Sequence, residues 1–281
     1  MNVFVFTLRC ADQPGIVHAA SGAIVALGGN ILENDQFTDP VTGQFCMRTR
    51  FACDADEREV DAQLREDLAR FEPVIGVRNE DEPRRALVMV SSFDHCLADL
   101  LYRRDHGDLA LDIVGIVSNH PDLEPLAARH GVDFHHVPVT AATKDAAEDQ
   151  LRALLAAYEV DLVVLARYMQ ILSPALCAEL SGRVINIHHS FLPGFRGARP
   201  YHQAYERGVK LIGATAHFVT SDLDEGPIID QDVVRVTHAH RPEEMVRLGR
   251  DIERTVLARA VRLVAEDRVT IVGERTVIFS Q

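Results

Sequence analysis

The sequence has too little basic charge and too few cysteines for several large classes of protein. Its 281 residues contain 29 Lys and Arg against 42 Asp and Glu, which gives a formal charge of -13. Nucleic acids and anionic membranes bind broad basic surfaces, so we expect neither as a partner. The five cysteines are scattered and contain no C-x-x-C pair, so neither a disulfide framework nor a zinc ribbon is indicated. A reducing cytoplasm fits this usage best.

The sequence also shows neither a membrane or signal segment nor a glycine-rich nucleotide-binding loop. No apolar run approaches the roughly 18 residues of a membrane span, and the first residues carry Arg9 and Asp12 too early for a signal peptide. The strand-like segment at residues 86–92 leads into "SSFDHC", which has neither a G-x-G-x-x-G nor a Walker-type pattern. A nucleotide cofactor held by backbone amides is therefore not supported.

The chain is 47% hydrophobic, enough for a substantial core, and its pattern changes near residue 80. Residues 1–80 contain strand and helix signals in the order βαββαβ, including a helix with Val60, Leu64 and Leu68 at helical spacing. This order predicts a small ferredoxin-like α/β domain. The charged segment at residues 81–85 predicts a linker.

Residues 86–281 read as short apolar strands alternating with amphipathic helices. This alternation predicts a second, Rossmann-like domain with a mostly parallel sheet covered on both faces. Ligands of such sheets bind at the carboxyl ends of the strands. The polar end of "RVINIHH" should lie at that edge.

Within this strand, alternation places Asn186 and His188 on one face and Ile187 and His189 on the other. An imidazole can move a proton near neutral pH, and an amide N–H can donate to a developing oxyanion. The pair therefore suits attack on a carbonyl carbon. The alternative is structural: an amide that satisfies a loop and a hydrogen-bonded core histidine.

A carboxylate that orients the imidazole would favour the catalytic interpretation. The candidates are Asp222, Asp224 and Glu225, which precede a Gly-Pro turn leading into the next strand. Three acids before a glycine are also typical of a solvated turn. Spacing alone does not choose among them.

A metal site is the third interpretation, because His217 lies nearby and His238 and His240 form a pair. The sequence has no H-x-x-x-H or H-E-x-x-H spacing, and His188 and His189 are predicted on opposite faces. We therefore predict no catalytic metal. Residues 183–210 contain five basic residues and one acidic residue, and this local excess of positive charge could attract an anionic substrate.

The stretch "INIHHSFLPGFRGARPYHQAYERGVKLIGATAHFVTSDLDEGPII" strongly resembles the formyltetrahydrofolate-dependent formyltransferase superfamily, and within it most closely the formyltetrahydrofolate deformylases. The resemblance covers nearly the whole chain, as an ACT-like domain followed by a formyltransferase-type catalytic domain. It implies Asn186, His188 and Asp224 as the catalytic trio. It also implies pterin contacts from the loop "ARYMQILSP", and we add His217 to the substrate contacts and Arg196 and Arg199 as anion contacts. The loop residues are Arg167, Met169, Gln170 and Leu172.

The resemblance implies hydrolysis of 10-formyltetrahydrofolate to tetrahydrofolate and formate, with no cofactor. Where glycinamide ribonucleotide formyltransferases carry a glycine-rich phosphate loop, this chain reads "SSFDHC", so water is favoured over a phosphorylated amine as acceptor. The motif His188-His189-Ser190-Phe191-Leu192-Pro193 also follows the deformylase pattern. Transfer to an unphosphorylated amine is the alternative reaction, and a non-catalytic folate sensor is the alternative class. For the ACT-like domain, resemblance implies a small amino-acid effector near "DQPGI" and a homo-oligomer.

Overall fold

The computed structural model describes residues 1–194 and 200–279. Contacts divide the chain into two compact units. The first unit contains residues 1–83 together with the residues from 266 onward, and the second contains residues 84–265. No helix within these described ranges combines the length and apolar character needed to cross a bilayer.

The first unit begins with the predicted βαββαβ order of elements. Its four strands form an antiparallel sheet in the order β2-β3-β1-β4. Alternate residues of β1, including Phe4, Phe6 and Leu8, are buried in the core beneath the helices. The elements are β1 (Asn2–Ala11), α1 (Ile16–Ala26), β2 (Asn30–Thr38), β3 (Gln44–Cys53), α2 (Glu57–Leu68), a short 3-10 turn (Ala69–Phe71) and β4 (Val74–Asn79).

Helix α2 shows why the sequence pattern is reliable here. Asp56 caps the helix by accepting a hydrogen bond from the Glu59 backbone N–H at 2.9 Å. Its apolar positions Val60, Leu64 and Leu68 are all fully buried. Capping and periodicity therefore agree on the start and the buried face of the helix.

The second unit is built on a seven-stranded sheet in the order β11-β10-β9-β8-β5-β6-β7. Strands β5 to β9 pair in parallel, whereas β10 is antiparallel to both of its neighbours. The mostly parallel sheet is therefore confirmed. The elements are β5 (Arg84–Val90), α3 (His95–Asp105), β6 (Leu111–Ser118), α4 (Glu124–Arg129), β7 (Phe134–His136), α5 (Lys144–Ala157), β8 (Leu162–Leu165), α6 (Pro174–Glu179), β9 (Val184–His188), α7 (Pro200–Glu206), β10 (Leu211–Phe218), β11 (Ile228–Arg235) and α8 (Pro242–Ala265).

The order of the strands reverses at β5. The chain runs from β5 outward through β6 and β7, then returns to the opposite side of β5 to form β8 and β9. Such a reversal opens a crevice at the carboxyl ends of the central strands, where α/β proteins bind ligands.

The last described residues form a hairpin of β12 (Val269–Val272) and β13 (Arg275–Ile278), which belongs to the first unit. The predicted second domain ran to residue 281, and this boundary is corrected. Polar contacts hold the hairpin segment to the first unit: Arg9 Nη1 donates to the Ile271 carbonyl at 2.5 Å, and Arg275 Nη2 lies 2.9 Å from Asp39 Oδ2. Long-range contacts of this kind leave no signal in the local pattern.

The predicted linker at residues 81–85 is also shorter than expected. Arg84 and Arg85 already pair with β6 as the first residues of β5. Their charge suggested a loop, but both lie at the start of the strand, and the Arg85 guanidinium donates to the Tyr158 carbonyl at 2.7 Å. The charged side chains are therefore compatible with strand pairing.

Candidate active site

A cavity of about 560 Å³ lies in the second unit at the carboxyl ends of β5, β8 and β9. Four segments line it: the turn after β5, the loop after β8, the end of β9, and the turn between β10 and β11. Residues from helices α7 and α8 form another wall. The cavity therefore occupies the edge of the sheet where the polar strand end was predicted.

Strands β9 and β10 place three polar side chains side by side. Asn186 and His188 are two positions apart on β9, so they share a face, as predicted. In the antiparallel pairing, Asn186 lies directly opposite His217 of β10. The pairing of β10 with β11 shifts register between Ala216 and His217, so an irregularity in the sheet lies beside this pair. Asn186, His188 and His217 all line the cavity.

The turn after β10 brings Asp224 to the same place. Asp224 has a backbone φ of 58°, a left-handed conformation that Asp adopts more readily than most residues. Gly226 lets the turn fold back on β10, because a Cβ there would lie only 1.7 Å from the Phe218 carbonyl oxygen. A hydrogen bond of 2.9 Å from the Phe218 N–H to the Pro227 carbonyl closes the turn.

Of the three candidate acids, Asp224 is the one in contact with His188. Asp224 Oδ1 lies 3.1 Å from His188 Nδ1, and the carboxylate side chain is 10% exposed. Asp222 and Glu225 are both exposed. The distance and burial therefore satisfy the geometric requirement that spacing could not test.

Hydrogen bonds define the proton positions in this cluster. His217 Nδ1 lies 2.8 Å from the Phe218 carbonyl oxygen, so it carries the proton and donates. His217 Nε2 then accepts from the Asn186 amide at 3.2 Å. His188 donates from Nδ1 to Asp224, which leaves a lone pair on Nε2. That Nε2 is buried and has no hydrogen-bond partner among the described residues.

Burial and neighbouring charges have opposite effects on each pKa in the cluster, and the net result is a lowered pKa for both His217 and Asp224. Burial lowers the pKa of His217, which favours the neutral ring. Burial by itself would raise the pKa of Asp224, but the hydrogen bond and charge of His188 outweigh it, and the pKa is lowered. Asp224 therefore remains a carboxylate and can stabilise positive charge on His188.

His189 does not lie on the face predicted for it. It was placed on the face opposite His188, but its ring stacks on the His188 ring with centroids 5.2 Å apart, and both line the cavity. The strict alternation fails because β9 ends at His188. Burial, and then the charge of Arg167, lower the pKa of His189 to about 3, so its ring is neutral.

The predicted substrate contacts also line the cavity. Met169 is 52% exposed at its rim, whereas Leu172 is buried and packs into the core beneath it. The Met169 N–H donates to Ser91 Oγ at 2.9 Å, which ties the loop after β8 to the end of β5. The predicted anion contacts, Arg196 and Arg199, lie outside the described residues. The predicted contacts brought to the cavity are Arg167, Met169, Gln170, Leu172 and His217.

A buried polar cluster in the same cavity was not predicted from the sequence. Its centre is Glu253 of α8, which is 1% exposed. Tyr201 donates to Glu253 Oε1 at 2.6 Å, His95 Nε2 donates to Oε2 at 2.8 Å, and Arg167 Nε lies 3.4 Å from Oε2. One sequence signal could have found it: Glu253 interrupts the buried helical series Gly249, Val256 and Leu257.

This cluster has a donor set poorly suited to a cation. Ligand atoms of His95, Cys96 and Glu253 lie within 4.8 Å of one another. Both Glu253 oxygens already accept hydrogen bonds, and burial raises the pKa of the Cys96 thiol, which disfavours the thiolate that metals bind. Of the earlier metal candidates, His240 Nδ1 accepts from the Thr237 N–H at 2.9 Å in a separate turn.

Comparison with known proteins identifies the family to which this chain belongs. The family model described as formyl transferase matches residues 84–261, so the chain belongs to the formyl transferase family.

Over nearly its full length the chain is similar to one group of that family. It is 48% identical to the formyltetrahydrofolate deformylase of Corynebacterium sp. (strain P-1), covering 98% of this chain and 97% of that relative. A crystal structure of formyltetrahydrofolate deformylase from Burkholderia mallei superposes with a TM-score of 0.96 at 49% identity, covering all of both chains. The chain thus falls among the formyltetrahydrofolate deformylases.

A glycinamide ribonucleotide transformylase matches less of the chain. The structure of this enzyme from Symbiobacterium toebii gives a TM-score of 0.67 at 35% identity and covers 72% of this chain but 97% of its own. More than a quarter of the present chain therefore has no counterpart in that neighbour.

Proposed function

We propose that this protein hydrolyses 10-formyltetrahydrofolate to tetrahydrofolate and formate. Its full-length similarity to formyltetrahydrofolate deformylases supports this reaction. The observation that carries the proposal is the His188–Asp224 pair, with a contact of 3.1 Å on Nδ1 and an unpartnered Nε2 in the cavity. An imidazole held in this way is ready to accept a proton from water.

His188 and Asp224 act in the first step. Water attacks the formyl carbon, and one of its protons passes to His188 Nε2 as the new C–O bond forms. Asp224 accepts the Nδ1 hydrogen bond and stabilises the imidazolium that results. The lowered pKa of Asp224 keeps its charge available for this purpose.

Asn186 stabilises the negative oxygen formed by that attack. One of its amide hydrogens is donated to His217 Nε2, which fixes the orientation of the NH₂ group. The second hydrogen is directed to the formyl oxygen as it becomes an oxyanion. A donor of this type contributes on the order of 3 kcal/mol to the transition state.

Collapse of the tetrahedral intermediate completes the reaction. The C–N bond breaks, the bonding pair stays on the leaving nitrogen, and His188 returns its proton to that nitrogen. The formyl group leaves as formic acid, which loses a proton to give formate. Overall, water and the formylated folate yield tetrahydrofolate, formate and one proton, with no cofactor required.

Transfer of the formyl group to an unphosphorylated amine is the second candidate reaction. Bulky side chains follow β5 in place of a glycine-rich loop: Phe93 and His95 both line the cavity. Their size favours water as the acceptor. Formate released in stoichiometric amount without added amine is the result expected for hydrolysis.

Substrate recognition is proposed for the loop after β8. Arg167, Met169, Gln170 and Leu172 would lie near the pterin, since all four line the cavity and Met169 presents an exposed apolar side chain. Arg196 and Arg199 would hold the glutamyl carboxylates. Substrates with longer glutamyl tails should then bind more tightly, and equal affinity for all tail lengths would count against these two residues.

The first unit is proposed as an ACT-like domain with a ferredoxin-like fold that binds a small amino acid and forms a homo-oligomer. The antiparallel order β2-β3-β1-β4 with two helices supports this assignment. A cytoplasmic location is proposed from the free, scattered cysteines. Calorimetry with free amino acids tests the effector, and absence of heat would leave the domain an assembly role only.

One experiment tests the reaction itself. Purified, chelator-treated full-length protein is incubated with 10-formyltetrahydrofolate, and formate and tetrahydrofolate are quantified. Equal amounts of both products are expected. Tight folate binding with no formate would instead identify a folate sensor.

A further inference from the structure

Arg167 is a buried cation whose hydrogen-bonding capacity is only partly used. Its side chain lines the cavity and is 9% exposed overall, and neither Nε nor Nη1 makes a hydrogen bond to any described residue. The nearest carboxylate, Glu253, approaches only to 3.4 Å. A buried guanidinium in this state has desolvated N–H groups available for another acceptor.

Glu253 cannot satisfy all the hydrogen-bond donors of Arg167, because both of its oxygens also accept hydrogen bonds from other residues. Oε1 accepts a short hydrogen bond from Tyr201, and Oε2 accepts one from His95. The Arg167 contact on Oε2 is the longest of the three. The carboxylate thus offsets the charge of Arg167 without satisfying its geometry.

A second cation increases the positive charge of this part of the cavity. The guanidinium carbons of Arg167 and Arg250 lie 5.1 Å and 5.6 Å from the centroid of the same Phe93 ring. Arg250 lines the cavity and is exposed. Two guanidiniums therefore flank Phe93 and form a positive region within a cavity whose carboxylates are Glu253, Asp222 and Asp224. Asp224 is already engaged by His188.

This positive region lies next to the proposed reaction centre. His189 stacks on His188, and Arg167, His188 and His189 line the same cavity. An anion formed at His188 can therefore reach Arg167 without leaving the cavity. One of its oxygens would accept a charge-assisted hydrogen bond from the unpartnered Nη1 of Arg167.

We propose that Arg167, assisted by Arg250, binds the small carboxylate anion that the reaction releases, namely formate. The proposal rests on the proposed hydrolysis, because that reaction generates the anion. Glu253 acts as a built-in competitor: it holds Arg167 between turnovers and yields part of the guanidinium to the product. Tyr201 and His95 keep Glu253 in place when Arg167 turns to formate.

Product inhibition by formate tests this site. Tetrahydrofolate formation is followed at fixed ionic strength with added sodium formate, acetate, phosphate or chloride. We expect formate to inhibit more strongly than chloride. Inhibition no stronger than that of chloride, or a preference for phosphate that depends on Arg167, would overturn the carboxylate site.

Two variants that should change the formate inhibition constant in opposite directions distinguish a loss of binding from damage to the fold. Arg167→Met should raise the formate inhibition constant by about tenfold or more, because a charge-assisted hydrogen bond to a buried guanidinium is lost. Glu253→Gln should lower that constant, because the competing charge is removed while the shape is kept. A loss of formate affinity in both variants would indicate structural damage and contradict the proposal.

Two further variants complete the design. Arg250→Gln changes an exposed residue and should raise the inhibition constant by about threefold. Arg152→Met is the matched control, because Arg152 pairs with Glu179 at 2.8 Å on the surface of the same unit. It should leave formate inhibition unchanged, and equal effects of Arg152→Met and Arg250→Gln would count against the site.

Direct binding distinguishes failure of the site from failure of the reaction. Carbon-13 formate is titrated into the full-length protein, and its NMR line width is recorded for the wild type and for Arg167→Met. Broadening in the wild type that is lost in the variant supports the site even if hydrolysis is absent. Hydrolysis without any broadening or inhibition would reject the site and leave the reaction standing.

Discussion

His188 Nδ1 lies 3.1 Å from Asp224 Oδ1, although the two residues come from different elements of the second unit. His188 ends β9, and Asp224 occupies the turn that follows the neighbouring strand β10. This contact fixes the tautomer of the imidazole and leaves Nε2 for the substrate side. The relationship between one strand end and one turn therefore defines the proposed chemistry.

Replacement of His188 by Ala should lower kcat by at least about 10²-fold, because the proposed proton carrier is removed. The chain supplies a matched control in the surface pair of His130 and Asp105, which are 2.5 Å apart. His130→Ala should retain wild-type turnover. Both variants are compared by formate release and by thermal unfolding, and a fully active, folded His188→Ala protein would rule out the assignment.

Replacement of Asn186 by Ala should also lower kcat by about 10²-fold, the usual effect of losing one oxyanion donor. Its effect on KM should be small, because the interaction forms mainly in the transition state. His217→Ala should give a weaker loss of kcat, since His217 only orients the amide through the 3.2 Å contact. Steady-state kinetics of both variants measure this split, and a change confined to KM would contradict the proposed role.

The stability contributed by Asp224 should depend on pH. Its folded pKa is lowered by the hydrogen bond and charge of His188, which outweigh the effect of burial, so the carboxylate stabilises the folded chain above its unfolded pKa of about 3.9. This contribution disappears as the pH falls through the lower folded pKa. The difference in unfolding free energy between wild type and Asp224→Asn should therefore be constant from about pH 5 to 7 and shrink below about pH 4.

Urea denaturation at a series of pH values measures this difference. Asp222→Asn is the control, because Asp222 is an exposed acid in the same turn. Its difference from the wild type should be small at every pH. A difference for Asp224→Asn that grows as the pH falls would have the wrong sign for a carboxylate stabilised by His188.

Much of this fold could be predicted because its signals are local. Periodicity predicted α2, and the apolar pattern placed Asn186 and His188 at a strand end. The choice of Asp224 over its acidic neighbours could not come from spacing. It depends on a left-handed residue and on the close approach of Gly226 to β10.

The remaining features depend on contacts between distant parts of the sequence. The last hairpin joins the first unit through contacts such as the hydrogen bond from Arg9 to the Ile271 carbonyl. These two residues are 262 positions apart in the sequence. The Glu253 cluster similarly combines α8 with the first residue of α3 and the loop after β8. A single buried acid in a helix gives a weak signal, because its partners are known only once the elements pack.

Gly226 offers the sharpest test of how the turn supports the site. Gly226→Ala would place a Cβ 1.7 Å from the Phe218 carbonyl oxygen, a backbone atom that cannot move without shifting β10. We expect the variant to lose about 3 kcal/mol or more of stability and to lose turnover with it, because Asp224 lies two residues away.

Gly22→Ala is the matched control. The new Cβ at that exposed helical position would meet nothing within 4 Å beyond its own helix backbone and chain neighbours, so the substitution should stabilise the protein by about 0.5–1 kcal/mol. Denaturant unfolding and formate release measure both effects, and a Gly226→Ala protein with wild-type stability and turnover would show that the close approach does not position Asp224.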